Sequence, residues 1–359
     1  MNATLPPPDI TQSIASFEAW MADQLGVLLV ADELRFKHEQ MRADVFLFLR
    51  GSCWRWAETA AFACPTLGLG PVAASVGDAH VGNFGVWRDG EGRLVWGVND
   101  FDEAATIPYR MDLARLVTSA ALARGDEDAD QADIAEAALD GYAAGLADPR
   151  PWVLEQDHGW LRDLFSSSDK QRIRFWAKLR DAAPEQHVPS AYHRALDAAV
   201  GPSVGATAFS RRRAGVGSLG RPRFVALADD VGGPIAREAK ALLPSCWDRG
   251  AAAGPQYALA ISRYRAPDPF LHAGDGIVVR RLAPNSRKID LGAHKRRVRR
   301  RLIGAMARDI GAIHAADAAS CAAISAHLAD HGRQWLAQAV RIMVDTTRRD
   351  WLGYRAAVR

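Results

Sequence analysis

Apolar side chains follow a helical period near both ends of the chain and shorten into strand-like runs between them. From Ser13 to Glu39, Ile14, Phe17, Trp20, Met21 and Leu25 share one helical face behind a capping serine, which predicts a single helix. Val45–Leu49 is a short apolar run closed by Arg50-Gly51-Ser52. Val72–Val76 is small and β-tolerant, and leads into Gly77-Asp-Ala-His-Val-Gly-Asn-Phe-Gly85. Val86–Val98 reads as a hairpin, two apolar stretches around Asp89-Gly90-Glu91-Gly92 with an Asp-Gly turn signal. The hairpin delivers the chain to Asn99-Asp-Phe-Asp-Glu103. Helices are predicted over 112–124 and 130–146, and a polar helical pattern broken at Pro149, Pro151 and Pro189 runs to about Pro202.

The pattern changes after Gly201. Phe209–Leu243 reads as strands and turns: Gly215-Val-Gly-Ser-Leu-Gly220, then Phe224–Leu227, the turn Asp229-Asp-Val-Gly-Gly233, and a stretch ending at Lys240. Gly276–Leu282 is another strand, and beyond Leu291 the helical period returns with Ile303, Met306, Ile310 and Ile313. This order predicts an α+β fold: a helix-rich part over 1–200, a β-rich part over 201–290, and helices over 291–359 that return to the first.

Composition narrows the class. The 359 residues are 48% apolar and 24% charged, as in a water-soluble globular protein. A net charge of +3 gives no reason to expect a nucleic-acid partner. The basic block Lys295–Arg301 reads first as a solvated helix start. Four scattered cysteines, Cys53, Cys64, Cys246 and Cys321, form neither a disulfide framework nor a zinc pattern, and reduced thiols in a cytoplasm are expected. Met1–Ile10 carries three prolines and no signal-peptide pattern, and no apolar run approaches the roughly 18 residues of a membrane span, so no membrane partner is expected.

Chemistry gathers around Asp78, Asn83 and Asp100. Phosphoryl transfer asks little covalent help of a protein: a carboxylate to take the attacking hydroxyl's proton, and oxygen ligands for magnesium on the phosphates. A glycine-rich loop with Asp78 and Asn83, facing Asp100 at a hairpin end, can supply all three. Asp and Asn in such loops also cap turns through their side chains, and the added Asn99-Asp-Phe-Asp and Asp112-Leu-Ala-Arg-Leu segments favour the functional reading. His80 as a ligand in a metallophosphatase site would want further coordinating clusters, and the ten histidines are dispersed. Gly215–Gly220 matches G-x-G-x-x-G, but a strand rather than a helix is predicted after it. That suits a kinase-type phosphate cover better than a dinucleotide fold, and Lys240 lies where the phosphate-pairing lysine of such a cover belongs.

Gly77–Leu116 resembles the catalytic core of aminoglycoside and choline phosphotransferases, relatives of protein kinases. In those a Gly-Asp-x-His-x-x-Asn loop precedes a hairpin, an Asp-Phe-Asp/Glu and an Asp-Leu-Ala helix. Arg50-Gly51, Gly77–Gly85, Asn99–Glu103 and Gly215–Gly220 together are similar to the bacterial domain-of-unknown-function 2252 family, the likeness running from about Arg42 to Ala316. The resemblance implies a two-lobed kinase-like fold, a helix-rich lobe with a smaller antiparallel-sheet lobe, and the use of ATP with Mg2+ on a small-molecule or protein acceptor. It makes Asp78 the catalytic base, Asn83 and Asp100 metal ligands, and Asp112 a brace for the loop, with His80 and Asp102 in support. Gly215, Gly217, Ser218 and Gly220 would cover the phosphates and Lys240 would pair with them. In ordinary kinases the glycines and lysine precede the catalytic Asp; here they follow it, which implies circular permutation, with the helix over Ala293–Ala316 leading into the catalytic loop. A kinase lysine also has a helix glutamate, and no Glu follows Glu238; the nearest downstream acid is Asp248. A nucleotide-binding module without transfer, and nucleotidyl transfer in the same fold, are the alternatives. The tryptophans over 152–176 and 335–351 are expected in packing before ligand binding.

Overall fold

The computed structural model describes residues 6–123, 128–156, 158–201, 207–261, 263–284 and 294–358. Asp9 caps helix α1 (Ile10–Leu25) by accepting from the Thr11 and Gln12 amides at 2.8 and 3.0 Å. The single helix expected over Ser13–Glu39 is two. Gly26, at φ 52°, ends α1, and α2 (Ala31–Ala43) starts after a short 3-10 turn. The apolar run at Val45 is a helix, α3 (Val45–Gly51), capped by Asp44 on the Leu47 amide; α4 (Cys53–Ala63) follows.

The expected hairpin is present as β2 (Phe84–Arg88) and β3 (Leu94–Val98), preceded by β1 (Val72–Ser75), which pairs with β4 (Ala105–Pro108). Helix α5 (Arg110–Leu122) is buried along its whole length, and α6 (Asp128–Ala147) follows it. The polar stretch after it holds a short strand, β5 (Trp152–Val153), beside β3, and the helices α7 (Gly159–Phe165), α8 (Asp169–Arg180) and α9 (Ser190–Val200). Next come β6 (Thr207–Arg211), β7 (Arg223–Asp230), β8 (Gly233–Ala241), α10 (Pro255–Ala260), β9 (His272–Gly274) and β10 (Ile277–Leu282). The chain ends in α11 (Arg296–His314), α12 (Ala318–Asp330) and α13 (Gln334–Ala357). The start expected for α11 at Ala293 lies outside the described residues.

The fold is α+β with antiparallel sheets, the largest in the order β6-β7-β8-β10-β9. Side chains alternate across it with period two. One face, with Phe224, Ala226, Ala239, Ala241, Ile277 and Val279, packs against α1 and α9 through Phe17, Met21, Tyr192 and Leu196. The other face carries Arg223, Glu238, Lys240 and Arg280 in register. A second, larger core surrounds α5, where α6, α11 and α13 meet. Trp152 is buried in that core and Trp335 packs against it. Helices α6 and α11 cross at glycines; a Cβ on Gly141 would stand 1.9 Å from the Gly304 carbonyl oxygen. No helix among the described residues is long and apolar enough to cross a membrane.

Candidate functional site

One face of α5 organises the loop after β1. Asp112, Arg115 and Ser119 follow at helical spacing and all turn toward the loop. The Asp112 carboxylate accepts from the Val76 amide at 2.7 Å and the Gly77 amide at 2.9 Å. Ser119 Oγ accepts from the Val81 amide at 3.0 Å. Arg115 Nε donates to Asp78 Oδ1 at 2.7 Å, while its Nη2 donates to the Leu49 carbonyl. Behind Asp112, His314 Nε2 lies 3.2 Å from Oδ2 and its Nδ1 lies 2.8 Å from the Tyr142 hydroxyl. A carboxylate only accepts, so Nε2 carries a proton. Gly77 has no substitute: at φ 76° its Cβ would fall 1.8 Å from the Glu103 carbonyl oxygen.

Burial pushes the Asp78 carboxyl above its ordinary range, and Arg115 only partly offsets this. His80 is buried beside it, its Nδ1 accepting from the Gly82 amide at 3.0 Å and its Nε2 3.7 Å from Asp78 Oδ2. Asn83 donates through its amide nitrogen to the Asp78 carbonyl at 3.3 Å and the Asp100 carbonyl at 2.9 Å. Both amide hydrogens are thereby used, and Oδ1 is the atom Asn83 offers to the cleft.

Lys240, only 1% exposed, projects from the central strand β8 to Asp100, with Nζ 2.8 Å from each Asp100 oxygen and 2.7 Å from Asp102 Oδ1. Burial disfavours charge on both carboxylates. At Asp100 the Lys240 ammonium, the hydrogen bond with Asp102 and the Arg280 charge together outweigh it and hold the group well below the usual range; at Asp102 burial and the Asp100 charge push the carboxyl up. The lysine was expected to pair with phosphates. It lies behind Asp100, outside the cleft lining, because the alternation of β8 aims it at the hairpin end. Its acid partners are therefore Asp100 and Asp102, and neither a helix glutamate nor Asp248 serves.

Two residues before it on the same face, Glu238 is fully buried among Arg223 (2.6 Å), Arg280 (2.7 Å) and Arg212. Burial opposes its charge, but Arg280, Arg223 and Arg212 hold it far below the ordinary range. The glycine segment lies between β6 and β7 as a 3-10 turn over Val216–Ser218. Ser218 Oγ accepts from Arg223 at 2.6 Å, the Gly217 carbonyl faces the buried Lys37 Nζ at 3.4 Å, and the Gly220 amide meets Glu33 at 3.3 Å. Gly215, Gly217 and Ser218 line the cleft with Asp78, Asn83 and Asp100; Gly220 packs on Leu34 outside it.

The cleft has a volume of about 220 Å³ and is rich in arginine, which suits an anionic ligand. Magnesium needs few protein oxygens and keeps several waters, so Asn83 Oδ1 with the ionised Asp100 fits it. Among the described residues no three His, Cys, Asp or Glu side chains gather as metal ligands. Sequence reasoning missed the roles of Arg115, Glu238 and Lys37. Arg115 was signalled by its place one turn after Asp112, and Glu238 by sharing a strand face with Lys240.

Residues 29–195 match the family described as "Uncharacterized protein conserved in bacteria (DUF2252)". The matched stretch carries the loop, the hairpin and α5, while the glycine turn and Lys240 lie beyond it. No curated protein and no solved structure matches the chain.

Proposed function

We propose that this cleft binds a magnesium–ATP complex and transfers the terminal phosphoryl group to a hydroxyl-bearing acceptor, in a kinase-like site assembled from permuted halves. The observation that carries this reading is the 2.8 Å contact of Lys240 with Asp100, which joins the glycine-turn sheet to the acidic loop across 140 residues of sequence. Magnesium on Asn83 Oδ1 and Asp100 would neutralise phosphate charge. Lys240 fixes the Asp100 carboxylate and keeps it ionised. Asp78, oriented by Arg115 and raised by burial, takes the proton of the attacking hydroxyl as its oxygen bonds to the terminal phosphorus. The bond to the bridging oxygen breaks, and ADP leaves with the electron pair. The glycine turn between β6 and β7 covers the phosphates, and the acceptor is a small molecule or a protein.

Incubation of the purified protein with magnesium and γ-labelled ATP tests this. Label is expected to leave ATP, for an acceptor or for water, and Asp78→Ala is expected to abolish the release. A second reading draws on the burial of Lys240 against two carboxylates: nucleotide binding without transfer. Tight binding with no release in the native protein would favour it.

A further inference from the structure

The arginines around the cleft are nearly all engaged. Arg212, Arg223 and Arg280 converge on Glu238; Arg221 donates to Glu103 at 3.0 Å; Arg265 lies 3.4 Å from the Val98 carbonyl; Arg281 donates to the Arg88 carbonyl at 2.6 Å. Arg50 is the exception. Its Nε is buried without a hydrogen-bond partner, and among the described residues its guanidinium has neither an ion pair nor a hydrogen bond. Its Cζ lies over the Phe46 ring, 5.6 Å from the centroid. Asp78 attracts it without forming an ion pair. A guanidinium stays charged in a protein, and a half-buried one without a counter-ion is destabilising unless a ligand completes it.

Its position says which ligand. Arg50 is the penultimate residue of α3, and its carbonyl oxygen would lie 3.1 Å from a Cβ on Gly217, so the glycine turn rests on its backbone. Its Cζ would lie 3.4 Å from a Cβ on Gly82 in the Asp78 loop. The guanidinium therefore stands beside the Asp78 loop, in the cleft that Gly215, Gly217 and Ser218 also line, where a terminal phosphoryl group approaching the proposed base would meet it.

We infer that Arg50 is a catalytic residue that binds the terminal phosphate of the nucleotide and neutralises the charge its oxygens carry during transfer. This rests on the phosphotransferase reading above. A guanidinium supplied from the same chain can act this way at a transferring phosphoryl group without itself exchanging a proton.

The test is the ratio of ADP to ATP dissociation constants with magnesium, in the native protein, Arg50→Met and Arg50→Lys. The native protein is expected to prefer ATP by about tenfold or more, and Arg50→Met to bring the ratio close to one, with ADP affinity held within about threefold. Arg50→Lys, which keeps the charge but loses the planar fork, is expected to fall between them, and both variants to lower single-turnover transfer by about 10²-fold or more. A preserved ratio in either folded variant overturns the inference and leaves the phosphotransferase reading standing. An equal loss of ATP and ADP affinity overturns it too, since it marks a structural role. If the native protein binds neither nucleotide, the functional reading falls first and the inference with it.

Discussion

Replacing Asp112 by alanine isolates what holds the Asp78 loop in place. The carboxylate accepts two backbone hydrogen bonds, 2.7 Å from Val76 and 2.9 Å from Gly77, and it is buried, so no water takes over either donor. Hydrogen bonds to a buried charge contribute about 1.5–3 kcal/mol each, which puts the loss at about 3–6 kcal/mol. His314 loses its acceptor as well and remains buried beside Tyr142. Asp112→Asn keeps one acceptor oxygen but turns an amide NH2 toward a backbone N–H, so it recovers less than half of the loss. Urea denaturation of the three proteins measures this directly, with the slope checked so that the midpoint shift reports stability. A loss below about 1 kcal/mol for Asp112→Ala would refute the claim that α5 braces the loop.

Two further predictions concern packing and pH. The Lys37 ammonium is pushed down to about 8, chiefly by burial, with the Arg221 charge adding to it. Between that value and the ordinary lysine value of about 10.4 the unfolded chain holds the proton more firmly than the folded one, so stability rises with pH across that window. Below pH 8 the full penalty is present, about 3 kcal/mol, and Lys37→Met is expected to stabilise the protein at pH 7 by up to that amount and by less at pH 10. A destabilised Lys37→Met at pH 7 would show that the charge is instead used by the Gly217 carbonyl. Gly141→Ala would place a methyl 1.9 Å from the Gly304 oxygen, backbone against side chain with no flexible neighbour to yield, and is expected to lower stability by about 1–3 kcal/mol or more. An unchanged urea midpoint would mean that α6 and α11 part freely.

What the sequence made legible was local. The hairpin over Val86–Val98 declares itself through Asp89-Gly90 between apolar stretches, and the structure differs by only two residues, with β2 starting at Phe84. The strand–glycine–strand order around Gly215 was readable for the same reason. The break at Gly26 was hidden because the apolar period runs straight up to it through Leu25. The run at Val45 could not be told from a strand by apolarity alone, and Asp44 as its cap was the overlooked cue. In the cleft, Asp78, Asn83 and Asp100 are legible because they fall within one loop-and-hairpin segment. The partners of Lys240 are not, since Asp100 and Asp102 reach it only once β8 packs over the hairpin end, 140 residues away for Asp100. Glu238 likewise collects arginines from β7, β10 and the turn between β6 and β7, a convergence that only the strand register creates.

The acidic loop and the glycine-turn sheet are proposed to form one magnesium–nucleotide site. Calorimetric titration with ATP, with and without magnesium, tests it most directly, with Asp100→Asn alongside. Binding is expected in about the micromolar range with magnesium, weaker by about tenfold or more without it, with a magnesium dependence that disappears in Asp100→Asn. Absence of binding, or an affinity indifferent to magnesium in the native protein, would contradict it.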